Sequence, residues 1–255
     1  MSQLILPRRR FLGGLALGAG GLALSGCDAI VENESLVSTI KKADRLTYHA
    51  QRTLVSRQAL AQEFSRTDLS PTFRANGSTV IDTPEYQQHT REKFANWQLK
   101  VGGLVATPQS FSLAQLMQMP AREQITRHDC VEGWSAIGQW RGTPLALILK
   151  AAGLSSRARF LVFHCADTLD GLLYYESIDL VDAFHPQTIL AWSMNGHVLP
   201  VAHGAPLRLR VERLLGYKHA KYVNRIDAVT SFADIYQGNG GYWEDVSGYE
   251  YYGGI

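Results

Sequence analysis

The chain has 255 residues, 45% of them hydrophobic, 10% aromatic and 19% charged, with only three cysteines. These figures provide for a full-sized core and exclude disorder, coiled coil and a disulfide miniprotein. The formal charge of +2 rests on Arg8, Arg9 and Arg10; without those three it is −1, so no broad basic field supports a nucleic-acid partner.

Residues 1 to 27 have the layout of an export signal. Arg8-Arg9-Arg10 is followed by Phe11-Leu12, and no charge occurs from Leu12 to Gly26. That apolar run of 15 residues contains six glycines, which is too short and too weakly apolar for a spanning helix of roughly 17–25 residues. It resembles a twin-arginine signal, and Leu24-Ser25-Gly26-Cys27 resembles a lipobox, which implies cleavage before Cys27 and lipid on it. The alternatives are that Cys27 is discarded with an ordinary signal or that the segment stays as an anchor. The twin-arginine route implies a periplasmic protein exported already folded, commonly with a cofactor in place.

From Glu34 to Phe64, Leu36, Ile40, Ala43, Leu46, Ala50 and Leu54 recur at spacings of three and four, which predicts one or two amphipathic helices. Residues 65 to 90 carry turn signals at Ser70-Pro71, Asn76-Gly77 and Thr83-Pro84 and little periodicity. Trp97 to Val101 alternates and stops at Gly102-Gly103, as a strand does. Ser112 to Gln115 has capping-box spacing and opens a short helix through Met119. Thr143-Pro144, then LALILKAA and Gly153, reads as a helix with N-cap, proline at the first position and glycine beyond the end. Strand-like runs follow at Arg159 to Cys165, Thr188 to Met194, Leu207 to Val211 and Tyr222 to Val229, with Asn195-Gly196 a hairpin signal. Short helices among many strands, without regular alternation, predict an α+β domain of mixed sheets rather than a Rossmann sheet. No GxGxxG, GxxxxGK[ST] or GxSxG motif occurs, so nucleotide-phosphate and serine-hydrolase chemistry have no anchor.

With Cys27 lipidated or lost, Cys130 and Cys165 remain, and a disulfide is the ordinary expectation in an oxidising compartment. Zinc is not expected, because no CxxC or HxxxH pair exists among the scattered histidines. Arg127-His128-Asp129-Cys130-Val131-Glu132-Gly133-Trp134-Ser135 is too polar for an ordinary core strand and reads as a loop. Its cysteine is either buried packing or a soft thiolate offered to a soft metal, with Arg127 and Glu132 at hand for a substrate.

The run Arg127-x-x-Cys130-Val131-Glu132-x-Trp134-Ser135, then Trp140-x-Gly142-x-Pro144-Leu145, resembles the molybdenum-ligand loop of the sulfite oxidase superfamily, in the bacterial branch that includes periplasmic methionine-sulfoxide reductases. His185-Pro186, Gly204-Ala205-Pro206-Leu207-Arg208 and Gly216-Tyr217-Lys218-His219-Ala220-Lys221 follow in the same order and at similar distances, so the likeness spans roughly residues 75 to 230. It implies a sulfite oxidase-type molybdopterin-binding fold over 71–255, preceded by the signal of 1–27 and a helical segment of 28–70. It also implies a Mo-molybdopterin cofactor to which Cys130 supplies the protein thiolate. Arg208 and Lys221 would hold the phosphate, His219 and Ala220 would add a side-chain donor and a backbone N–H, and Asn76-Gly77 would be the N-terminal contact. The chemistry of the residues alone leaves Lys221 a solvated turn and Arg208 an exposed strand-face arginine, a role that falls to its neighbour Arg210.

Three positions depart from the branch. His203 stands in place of an asparagine and can still donate to the pterin. Cys165 stands in place of a pterin-contacting threonine, which places it beside the cofactor and argues against a disulfide. Asp129 replaces a basic residue, so Asp129 and Glu132 flank Cys130 with Arg127 as counter-charge. Such a site disfavours the sulfite dianion and favours a neutral oxide. The implied activity is oxygen-atom transfer, the reduction of a small S- or N-oxide, with Glu132 handling a proton and Arg127 polarising the substrate oxygen. Trp134 and Trp140 either wall the site or pack; Tyr242, Trp243, Tyr249, Tyr251 and Tyr252 either shape its mouth or form a packed tail. The chain has no CxxCH haem site and no iron–sulfur cysteine set, so a membrane haem or quinone-linked partner is implied. The rival readings are sulfite dehydrogenation in the same fold and a lipid-anchored binding module without turnover.

Overall fold

The structure is a computed structural model that describes residue 46, residues 48 to 53 and residues 56 to 255. The export signal, Cys27 and the first part of the N-terminal helix lie outside the described residues. Residues 46 and 48 to 53 are helical. A second compact unit begins at Arg57 and runs to Ile255, and everything below concerns it. The helix expected to continue to Phe64 does not: Glu63 bridges Thr126, and the Phe64 N–H donates to the Ile125 carbonyl at 2.9 Å. Among the described residues no helix is long and apolar enough to cross a membrane.

In chain order the elements are α1 (Pro84–Arg91), β1 (Gln98–Gly103), β2 (Gln109–Ser112), α2 (Leu113–Gln118), β3 (Arg122–Cys130), β4 (Trp134–Pro144), α3 (Leu145–Ala152), β5 (Phe160–Leu169), β6 (Leu172–Asp179), α4 (Leu180–Ala183), β7 (Ile189–Met194), β8 (His197–Val198), β9 (Arg208–Arg210), β10 (Val223–Val229) and α5 (Tyr242–Ser247). One sheet has the order β2-β1-β10-β5-β6, parallel only between β1 and β10. The other has the order β3-β4-β7-β8, with β9 on β7. This is the expected α+β architecture of mixed sheets and short helices.

Local chemistry explains most boundaries. Ser112 accepts from the Gln115 N–H while the Gln115 side chain accepts from the Ser112 N–H, so α2 opens with a full capping box. Gly153 closes α3 at φ 68°, in the left-handed conformation that glycine adopts without strain. Thr143 does not cap that helix; Pro144 is the N-cap, and the Thr143 hydroxyl donates to the Leu116 carbonyl at 2.8 Å. Asn195 and Gly196, at φ 51° and 80°, make the expected tight turn between β7 and β8. Several elements went unread in the sequence: β2, β3, β4 and β6, and the helices α1, α4 and α5. Thr83-Pro84 is a helix start, with proline in the first turn of α1. Asp170-Gly171 is a hairpin turn that lengthens β5 and pairs it with β6.

The main core fills the space over the first sheet. Leu99, Leu161, Phe163 and Ile226 pack with Leu145, Ile148, Leu149 and Ala152 of α3, and each fully buried large side chain contributes about 1.5–3 kcal/mol. A smaller cluster on the second sheet holds Trp140, Ile189, Ala191, Met194 and Leu199, with Phe73 against it. The C-terminal segment is fixed by charge. Lys218, buried in the turn Gly216–Lys218, donates to Glu176 of β6 at 2.6 Å and to Glu244 of α5. One cation and two carboxylates, all sealed from water, push the Glu176 carboxyl well above its ordinary range, through burial and the Glu244 charge.

The register of the second sheet depends on Gly142, beside the shift between Arg141 and Gly142 where β4 meets β7. A Cβ there would lie 2.3 Å from the Leu190 carbonyl oxygen and 2.6 Å from the Ala191 Cα, so main chain rather than a movable side chain excludes it. Gly142→Ala is therefore expected to lower stability by about 1–3 kcal/mol or more, read as a lower urea midpoint at unchanged slope.

Candidate active site

β3 alternates strictly. Gln124, Thr126, His128 and Cys130 are buried, while Arg127 points the other way and is exposed. Cys130 is thus the last residue of a strand rather than part of a free loop. The turn Val131-Glu132-Gly133 follows, closed by the Gly133 N–H donating to the Cys130 carbonyl at 3.0 Å, with Gly133 at φ 84°. The hairpin projects the thiol into a partly open cavity lined by residues from several separate segments.

Cys130 and Glu132 form one wall of this cavity, and Asn76, Gly77 and Ser78 a second. The end of β5 adds Asp167, the turn after β9 adds Gly216, Tyr217, His219 and Lys221, and the C-terminal segment adds Trp243 and Tyr249. Trp243 and Tyr249 stack with ring centroids 5.7 Å apart, so two members of the C-terminal aromatic run reach the cavity. The irregular segment is tied down from across the cavity. Lys221 Nζ donates to the carbonyls of Asn76 at 2.7 Å, Ser78 at 2.5 Å and Ala202 at 2.8 Å, and Tyr222 Oη donates to Ser78 at 2.8 Å. Burial and the Arg208 charge bring the Lys221 pKa down to about 7.

Arg208 and Ala220 are buried, and His203 is half-buried; none of the three is on this wall. Arg208 is fully buried, over the Trp140 ring at 5.3 Å, and its Nη1 donates to the His203 carbonyl at 3.3 Å. Its Nε and Nη2 have no hydrogen-bond partner. Among the described residues no carboxylate forms an ion pair with it, and burial together with Arg210 lowers its pKa to about 9, with Glu212 pulling the other way. Arg210 is not the exposed strand-face residue expected from the sequence. It is equally buried, because Glu212 meets it bidentately at 3.0 and 2.6 Å. Ala220 gives its carbonyl to the Leu209 N–H at 2.8 Å. His203 Nδ1 is unpartnered, and burial with the Arg208 charge lowers the His203 pKa to about 4.

Two further expected site residues, Arg127 and Cys165, also stay outside the cavity. Arg127 sits on the opposite face of β3 from Cys130 and pairs with Asp129 at 2.9 Å, so it cannot polarise a substrate oxygen held at the thiol. Its counter-charge role is real, but its partner is Asp129. Cys165 is buried on β5 opposite Val223 and does not line the cavity. Both Cys130 and Cys165 are free thiols, and burial pushes both thiol pKa values up, that of Cys165 well up. Trp140 is fully buried, and Trp134 donates to Glu132 at 3.0 Å.

Asp167 was not read from the sequence at all, although it lines the cavity and is almost fully buried. Burial raises its carboxyl to about 6, with Ser78 and Lys221 pulling the other way. Besides Arg208 and His203, the buried atoms Asn76 Oδ1, Asp167 Oδ1, His219 Nδ1, His128 Nε2 and Trp140 Nε1 lack partners. Each such atom costs about 1–3 kcal/mol if left unmet, so a concentration of donors and acceptors beside one cavity marks the place of a polar ligand.

Residues 85 to 236 match the family described as oxidoreductase molybdopterin binding domain, and the chain belongs to that family. It is a molybdopterin-dependent oxidoreductase of the sulfite oxidase superfamily, and its cofactor is Mo-molybdopterin. Among its relatives is a protein of Azospira oryzae that carries the provisional name protein-methionine-sulfoxide reductase subunit YedZ1, 37% identical over 251 residues, which are 98% of this chain and 88% of that protein. The protein-methionine-sulfoxide reductase catalytic subunit MsrP of Ralstonia nicotianae is 32% identical over 230 residues, 86% of this chain and 67% of that one. Of solved structures, the sulfane dehydrogenase SoxCD from Paracoccus pantotrophus superposes with a TM-score of 0.50 at 22% identity, covering 54% of this chain and 39% of that one, a likeness of fold. The residues present fit the cofactor: an open thiol for the metal, an uncompensated guanidinium for a phosphate and unpartnered polar atoms for a pterin.

The Asp167 environment sets a pH dependence. The folded-state pKa, about 6, lies above the ordinary 3.8, so the folded protein holds the proton more tightly and stability falls as pH rises through that window. In cofactor-free protein Asp167→Asn is expected to add about 1–3 kcal/mol at pH 7.5 and nothing at pH 4, read by urea unfolding at both values.

Proposed function

We propose that the protein reduces small neutral sulfoxides, of the methionine-sulfoxide class, at a molybdenum centre whose protein ligand is Cys130. The observation that carries this reading is the charge layout around the thiol. Glu132 and Asp167 present carboxyls to the cavity, while its lysine is already engaged by three carbonyls. A dianion such as sulfite would be desolvated against acidic groups, whereas a neutral S=O group would not. The names of the relatives from Azospira oryzae and Ralstonia nicotianae support the same substrate class.

Reduction of a sulfoxide to a sulfide and water consumes two electrons and two protons. The cofactor, when bound, supplies the two electrons and accepts the oxygen atom. This chain's own residues do the rest. Cys130, whose thiol is held protonated by burial, gives up that proton on binding metal. Asp167, with a carboxyl near pKa 6, keeps a proton available close to neutral pH. Glu132 is exposed at the hairpin tip, held by the Trp134 indole, and can exchange protons with solvent. Trp243 and Tyr249 offer an apolar wall for the thioether arms. Arg208 meets the phosphate, aided by Lys221, with Asn76, Gly77, His203, His219 and Ala220 around the pterin. No catalytic role is assigned to Arg127, and Cys165 is assigned to packing beside Asp167.

Electrons come from a separate donor of the membrane haem or quinone-linked kind. The paired arginines at Arg8 and Arg9 support export to the periplasm, with Cys27 as the lipid anchor. Cys130→Ser is expected to lower molybdenum content and methionine-sulfoxide turnover by about 100-fold or more, measured by elemental analysis and a reduced-dye assay. Full activity in that variant, or sulfite oxidation faster than sulfoxide reduction in the wild type, would overturn the reading.

A further inference from the structure

We infer that His128 is a hydrogen-bond donor to the pterin-dithiolene of the bound cofactor, fixed in a single tautomer by the buried Glu212–Arg210 pair. The inference rests on the cofactor reading above and extends it to His128, one of the two unspecified positions in the run Arg127-x-x-Cys130.

His128 and Cys130 lie on the same buried face of β3, two residues and about 7 Å apart along the strand. The Arg210 Nε and Nη2 hydrogens go to Glu212, whose Oε1 also accepts from Gln124 at 2.8 Å. The remaining arm, Nη1, reaches His128 Nδ1 at 3.1 Å. A guanidinium has hydrogens to give and no lone pair to offer, so Nδ1 must be the acceptor and Nε2 must carry the ring hydrogen.

Among the described residues nothing accepts that hydrogen. The neighbours of the ring are Phe73 and Trp134, each at 5.6 Å, and His219 edge-on at 5.1 Å. Gly216 lies against Nε2 itself. A Cβ there would fall 2.6 Å from that nitrogen, and since Gly216 has no positive φ, space rather than conformation requires the glycine. Gly216 itself lines the cavity, so the buried donor lies directly behind the cavity wall at the one position where that wall has no side chain against it.

His219 is the complement. Its Nε2 meets the Leu214 carbonyl at 3.0 Å, and a carbonyl can only accept, so its Nδ1 is a bare acceptor, also without a partner. The two rings therefore offer one donor and one acceptor side by side, each set by a bond made on its far side. Sulfur, ring-nitrogen and carbonyl acceptors of a pterin-dithiolene suit the donor, and a pterin N–H suits the acceptor.

The test uses holoenzyme. His128→Asn keeps an oxygen near the Nδ1 position for Arg210 and removes the outward donor, whereas His128→Gln carries its amide nitrogen out towards the Nε2 position. Pterin and molybdenum release is followed in urea below the unfolding transition. We expect about tenfold faster release from His128→Asn, the effect of one lost hydrogen bond, and release within about twofold of wild type from His128→Gln. Gly216→Ala, which places a methyl against Nε2 and leaves His128 intact, is expected to release cofactor as fast as His128→Asn. If His128→Asn does not fold, the contrast between His128→Gln and Gly216→Ala decides. Equal release from all proteins overturns the inference, and so does equal loss in the Asn and Gln variants, which would leave His128 a packing residue. Wild-type protein from a cofactor-producing host that holds no pterin overturns the cofactor reading itself, and the inference with it.

Discussion

A guanidinium sealed from water, with no carboxylate paired to it among the described residues, is the constraint on which the site turns. β9 places Arg208 and Arg210 two residues apart, so both side chains leave the same face of the strand and both lie over the Trp140 ring, at 5.3 and 4.3 Å. Their surroundings then diverge. Arg210 is neutralised by Glu212 and becomes part of the scaffold, while Arg208 has only the His203 carbonyl. An uncompensated buried charge costs several kcal/mol, and in the proposed reading a cofactor phosphate would offset that cost.

Much of this was legible in the chain. Cap, turn and alternation signals located α2, α3 and strands β1, β5, β7, β9 and β10, because each is set by contacts within a few residues; β2, β3, β4 and β6 were not located. Cys130, Lys221 and Asn76 were legible from motif order. Arg127 was misplaced because its segment looked too polar for a strand. Once Gly133 is seen as a hairpin turn, counting back from Cys130 puts Arg127 on the opposite face. Arg208 and Arg210 share one Leu-Arg-Leu-Arg-Val run, and only the tertiary position of Glu212 relative to each tells them apart. Asp167 follows two residues after Cys165 on β5, but its role depends on a cavity that several distant segments build together, which no local pattern reports.

The C-terminal segment shows how a remote contact shapes the pocket. Lys218 joins Glu176 of the first sheet to Glu244 of α5, one residue from Trp243. The aromatic wall of the cavity is therefore anchored by a buried ionic cluster that touches no substrate. Breaking such a cluster by removing one partner costs about 3–5 kcal/mol, so the mouth of the site is held more firmly than its exposed position suggests.

The Lys221 ammonium has a consequence for the lifetime of the loaded enzyme. All three of its hydrogens are given to carbonyls, two of them in the segment of Asn76 and Ser78. An anion that claims the ammonium competes with that segment for one cation, so occupancy of the site and closure of the segment are linked, each altering the free energy of the other by the same amount. Under the proposed role of Lys221, the lifetime of the loaded enzyme would depend on the hold of a short stretch of main chain as well as on the groups that meet the ligand.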